Sequence, residues 1–149
     1  MTASAAHLRT STLISIVISM AISAAFFLLV FGLAVDVPVF GTSSLALDFV
    51  PQTLAAGFMA ALMPCLQTRA KIIAGDLPGT PLSPLAIARR ALLLAVAALA
   101  LAAFVTAGLW FAGTTALPWT GALALKIGYG GLIGLIVTPV ALHALLSKG

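Results

Sequence analysis

Asp48-Phe-Val-Pro-Gln-Thr-Leu-Ala-Ala-Gly-Phe-Met-Ala-Ala-Leu-Met-Pro-Cys-Leu-Gln-Thr-Arg-Ala-Lys71 decides the fold. An acid opens the stretch, an apolar run with small residues at four-residue spacing fills it, and Arg69 and Lys71 close it. At about 1.5 Å per residue such a run crosses a hydrocarbon core of roughly 30 Å as one helix. The rest of the chain agrees with a lipid solvent. Of its 149 residues 62% are hydrophobic and 7% charged, against roughly 45–50% and about 25% in soluble domains.

Working outward, the apolar run Leu13–Val35 precedes the quoted stretch and is too long for the roughly 7–15-residue core of a signal peptide. It reads as a retained first span. Pro84–Phe111 and Trp119–Leu146 follow as two more apolar runs. The expected fold is an all-α membrane protein with four transmembrane helices in a single domain, residues 1–149. The spans fall at about 12–35, 49–70, 86–111 and 120–146. Gly32-Leu33 matches Gly108-Leu109, and Pro64 matches Pro139, at offsets of 76 and 75. Those matches suggest two tandem parallel-repeat helical hairpins.

Charge sets the orientation. With four spans, Arg9, Arg69, Lys71, Arg89, Arg90 and Lys148 share one side, which the positive-inside rule makes cytoplasmic, with both termini. The net charge of +4 therefore reports topology and gives no reason to expect a nucleic-acid partner. Trp110, Trp119, Phe40 and Phe49 are expected as an aromatic belt on the opposite side.

Helix contacts are expected where small residues recur. Ser15, Ser19 and Ser23 mark a face of the first span, Ala56 and Ala60 of the second, and Gly130 and Gly134 of the fourth. The serines could alternatively line a polar pathway, but packing is the preferred reading. Pro64 and Pro139 are expected to kink their helices, because each removes a backbone donor and crowds the preceding turn. Asp48 suits a helix N-cap, with Pro51 in the first turn. Gln52, Thr53, Gln67 and Thr68 are read as headgroup contacts.

Lys126 stands alone on the side opposite the other basic residues, so it calls for a local partner. Counting about 33 Å back from Lys148 and about 31 Å back from Arg69 puts Lys126 and Asp48 at one depth. An Asp48–Lys126 pair at a wet outer interface is expected, contributing about 0–1 kcal/mol there.

No enzyme signature is present. Asp36, Asp48 and Asp76 are read as lying outside the span interiors, which argues against a proton-coupled exporter of the small multidrug type. His7, His143 and Cys65 share a depth, but their separation favours an interfacial and buried role over a metal or haem site. Gly128–Gly134 has the glycines of a nucleotide loop without the preceding strand. No catalytic residue, cofactor or metal is therefore expected.

Asp48-Phe-Val-Pro-Gln, Met63-Pro-Cys-Leu-Gln-Thr-Arg69, Lys126-Ile-Gly-Tyr-Gly and Val137-Thr-Pro139 resemble short four-span inner-membrane proteins of proteobacteria. The resemblance covers most of the chain and implies a bacterial inner membrane. It carries no known activity, so no functional residue comes with it. The expected role is that of a non-enzymatic accessory or scaffold subunit. Its partners would be the lipid bilayer and either another membrane protein or further copies of the chain. The alternative is a small oligomeric transporter or channel for a neutral or lipidic solute.

Overall fold

The computed structural model describes residues 3–33 and 36–146. In chain order it contains α1 (Ala3–Phe31), β1 (Asp36–Pro38), α2 (Leu45–Ala74), α3 (Pro84–Phe111), β2 (Ala116–Pro118) and α4 (Trp119–Leu146). All four helices are long and apolar enough to cross a membrane. Their outward faces carry Leu13, Val17, Leu29, Leu93, Phe104 and Val140, all exposed. Lipid is the solvent that makes such a surface stable.

Helix ends follow local chemistry and shift several expected boundaries. α1 starts near Ala3 instead of residue 12, because Ala3–Ser11 contains neither glycine nor proline to stop it. It ends at Phe31, where Gly32 turns to φ 56°. The last two residues of the expected 12–35 span, 34 and 35, lie outside the described residues. α2 starts at Leu45, and its cap is Ser44, whose side chain accepts from the Leu47 amide. Asp48 therefore lies within the first turn of the helix and is not its cap. Pro51 lies in the second turn. α2 closes on Gly75 in the left-handed region at φ 85°. Ser83 caps α3, with Pro84 at its first position.

α2 and α4 form the centre, each with half of its most apolar window buried, while α1 and α3 bury 22% and 11%. The neighbours cross between hairpins: α1 packs mainly on α4, and α3 mainly on α2. The two interhelical turns, read from sequence as plain loops, pair as a short antiparallel ribbon. Its register is Asp36↔Pro118, Val37↔Leu117 and Pro38↔Ala116. The proline at the end of each strand fits a ribbon this short, where a missing donor breaks no continuing ladder. The Val39 amide adds a bond to the Thr115 carbonyl at 3.0 Å. The pairing of β1 with β2 joins the two hairpins, as does the crossed packing of α1 on α4 and of α3 on α2. The ribbon marks one end of the bundle. The described chain ends and the 75–83 linker mark the other.

Candidate functional site

The polar chemistry lies in one seam between α1, α2 and α4. Taken from the linker end, His7 Nε2 bonds Thr68 Oγ1 at 2.8 Å, with Ser11 Oγ at 3.5 Å and Lys71 Nζ at 3.4 Å from its two ring nitrogens. His7 is thus held on α1. About two helical turns further in, the Thr138 hydroxyl contacts both Ser15 Oγ at 2.6 Å and the Ala60 carbonyl at 2.8 Å. A hydroxyl has one proton and a carbonyl only accepts, so Thr138 donates to Ala60 and Ser15 donates to Thr138.

Ala60 is the residue four before Pro64, and its carbonyl is the one that Pro64 leaves without an amide partner. Thr138 therefore supplies the missing donor from the neighbouring helix. Both α2 and α4 continue as single helices through Pro64 and Pro139. Thr138→Val keeps the shape and removes the donor. It should lower stability by about 1–2 kcal/mol, measured by reversible unfolding in detergent. An unchanged stability would show that Ala60 finds another donor.

Nearer the ribbon, Gln52 Nε2 donates to Ser23 Oγ at 2.5 Å, and Ser23 donates to the Ser19 carbonyl at 2.8 Å. Thr53 donates to the Phe49 carbonyl and accepts from Tyr129 Oη. Gln52, Thr53 and Thr68 are fully buried, which overturns their reading as headgroup contacts. They face the seam because α1 and α4 cover that side of α2. Gln67 alone of the four is exposed.

At the ribbon end, Lys126 Nζ stands 2.6 Å from Asp48 Oδ2, with side chains 0% and 2% exposed. The same ammonium lies 4.5 Å from the centre of the Phe49 ring, whose edge-tilted partner is Tyr129 at 4.6 Å. Here the sequence placed the partners at a wet interface, and the structure encloses them. Val37, Val39, Leu45 and Phe27, all fully buried, fill that end of the bundle under the ribbon. Phe49 belongs to this core and not to an outer aromatic belt. Trp119 is tied inward too, donating Nε1–H to the Gly32 carbonyl at 2.8 Å, while Trp110 stays exposed beside Phe40.

Lys126 Nζ and Asp48 Oδ2 lie at ion-pair distance, while among the described residues Asp48 Oδ1 and Gln52 Oε1 have no hydrogen-bond partner. The α2 N-terminus favours a carboxylate at Asp48. Asp48 in turn offsets the desolvation of Lys126, which sits in the first half of α4 and, among the described residues, pairs with no other carboxylate. Asp48 thus stands in the first turn of α2, near the ribbon end of that helix.

The small residues set how closely the helices approach. Ser15, Ser19, Ser23, Ala56 and Ala60 are buried, as are Gly130 and Gly134. A Cβ on Gly134 would meet backbone atoms of Ile16 and Ser15 at 2.8 Å. One on Gly130 would strike Ser23 Oγ and the Ser19 carbonyl. α3 differs: among the described residues none of its side chains hydrogen-bonds to another helix. Its buried positions are Ile87, Ala91, Ala95 and Ala102. Gly57 lets α2 approach Ala95 to within 3.2 Å of a built Cβ.

Tyr129 and Thr138 enter the sequence reading only within the Lys126-Ile-Gly-Tyr-Gly and Val137-Thr-Pro139 motifs, with no role assigned. The signal for Thr138 was available in part, since Pro64 identifies Ala60 as a free acceptor. No three His, Cys, Asp or Glu side chains group to hold a metal among the described residues. His7, His143 and Cys65 are not brought together.

Fold and seam together define an all-α chain with four helices fit to cross a membrane and a buried ion pair between its two central helices. No protein-family model, curated protein or solved structure matches it.

Proposed function

We propose that the chain is a non-enzymatic accessory or scaffold subunit of a larger assembly in a bacterial inner membrane, with both termini cytoplasmic. The observation that carries this reading is a wide apolar hollow of about 670 Å³ between α2 and α3 on the ribbon half. Ala102, Ala103 and Ala107 line it together with the aromatic rings of Phe40, Trp110 and Phe111. Small residues allow another helix to approach closely, and aromatic rings give it area to pack against. The polar groups of the seam, by contrast, are mostly occupied with one another inside the bundle.

Purification in mild detergent should bring down a membrane protein in fixed ratio, and Ala107→Trp should release it while the bundle stays folded. Recovery of the chain alone, with unaltered behaviour of the variant, would overturn the proposal. A reporter fused after Gly149 that is active only when exported would overturn the orientation.

A second reading, a small oligomeric transporter for a neutral or lipidic solute, is favoured by one feature. Asp48 Oδ1 and Gln52 Oε1 are buried without partners beside a charge pair, and ionisable groups inside spans commonly serve transport. Solute flux in proteoliposomes that vanishes in Gln52→Leu would select it over the scaffold reading.

A further inference from the structure

α3 and α4 touch sparsely, and two adjoining apolar hollows that share Leu94 and Val140 lie along the gap between them as a groove. Its half near the linker, about 270 Å³, is lined by Cys65, Ile87, Arg90, Leu94 and Val140 among others. Its deeper half, also about 270 Å³, shares Leu94 and Val140 and reaches Leu101 and Ile133. From Arg90 to Leu101 is eleven residues of α3, about 16 Å of rise. One leaflet of a hydrocarbon core is about 15 Å thick. The groove therefore runs from headgroup level to the midplane on one side of the membrane.

Its mouth is charged. Arg90 is exposed, and among the described residues no carboxylate pairs with it. Arg69, by contrast, is occupied, donating Nε–H to the Leu82 carbonyl at 2.8 Å and pinning the linker across the groove's lower end. A planar guanidinium with unused donors at headgroup depth matches a phosphate. Basic pockets between spans are where anionic lipid heads are recognised.

We propose that the α3–α4 groove is a binding site for one anionic phospholipid, its phosphate on Arg90 and one acyl chain along Leu94, Val140 and Ile133. The site goes beyond the scaffold reading and does not depend on it. It lies on the opposite side of α3's contact with α2 from the hollow offered to a partner helix, and on the other half of the bundle.

The test titrates delipidated full-length protein in neutral detergent with phosphatidylglycerol or phosphatidylcholine and counts bound lipids by native mass spectrometry. One phosphatidylglycerol per chain is expected, with phosphatidylcholine about ten-fold weaker. Arg90→Gln should abolish that preference. Arg89→Gln removes the same charge from outside the groove and should keep it. Ala97→Phe, which fills the groove from an exposed position, should weaken both lipids while Arg90 is intact. Equal loss in the two arginine variants would mean general charge attraction and overturn the site. So would undiminished binding to Ala97→Phe, or a dimer whose second copy occupies the groove and excludes lipid.

Discussion

Lys126→Met is expected to destabilise the bundle by about 3–5 kcal/mol, because it leaves the Asp48 carboxylate enclosed without its counter-charge. The size follows from the burial of both partners, 0% and 2% exposed, and from the scarcity of alternative donors. Asp48 Oδ1 already lacks a partner, so no existing bond can take up the charge. Asp48→Leu should cost a similar amount, since it strands an ammonium on the Phe49 ring. The double variant is the informative one. With both charges gone and the volume roughly kept, stability should return to the wild-type level or exceed it by about 1–4 kcal/mol. Unfolding free energies of the four proteins in one detergent complete the cycle. Single variants that cost under about 1 kcal/mol would show that water reaches the pair, as an interfacial position would allow.

The second large effect is expected at Gly134. A methyl there would stand 2.8 Å from the Ile16 amide and Cα and from the Ser15 carbonyl. These are backbone atoms of a packed helix, so no rotamer change relieves the contact. Gly134→Ala should therefore lose about 1–3 kcal/mol through overpacking, despite alanine's better helix propensity. Gly128, in the same helix, has nothing within 4 Å of a built Cβ. Gly128→Ala should be neutral or gain up to about 1 kcal/mol. Thermal unfolding of the two variants side by side gives opposite signs. If both gain, α1 is not seated against α4 at this depth.

These two regions show what a sequence of this kind discloses. Lys126 was conspicuous because it breaks the charge asymmetry of the other basic residues, and helical rise put it at the depth of Asp48. The serine and glycine faces repeat at four residues, close enough to the helical period to be read directly. Enclosure of the pair was not legible, because it depends on the ends of the helices and on the ribbon. Asp36-Val-Pro38 and Ala116-Leu-Pro118 are three-residue segments with prolines and carry no alternation that marks a strand. The start of α2 was misread for a related reason. Both Ser44 and Asp48 have side chains suited to a cap, and the choice between them rests on tertiary packing of Leu45 in the core. Gln52 and Thr53 were misplaced because a polar side chain near a helix end is as compatible with headgroups as with a partner helix.

The crossed packing has a consequence for the order of events during synthesis. α1 emerges first, yet its main neighbour, α4, is the last helix to be made. Asp48 likewise enters the membrane 78 residues ahead of Lys126. The first hairpin therefore waits, with an unpaired acid and a strand lacking its mate, until the second arrives and the two exchange partners. The packing of α1 on α4 and of α3 on α2, the ion pair and the ribbon all need both hairpins, whereas the Gln52–Ser23 and His7–Thr68 bonds join helices of the first alone. Two polypeptides divided in the 75–83 linker and produced together should accordingly assemble into the same bundle, held by the ion pair and the ribbon instead of by continuity of the chain. Failure of such halves to co-purify would show that the tether supplies a decisive share of their effective concentration.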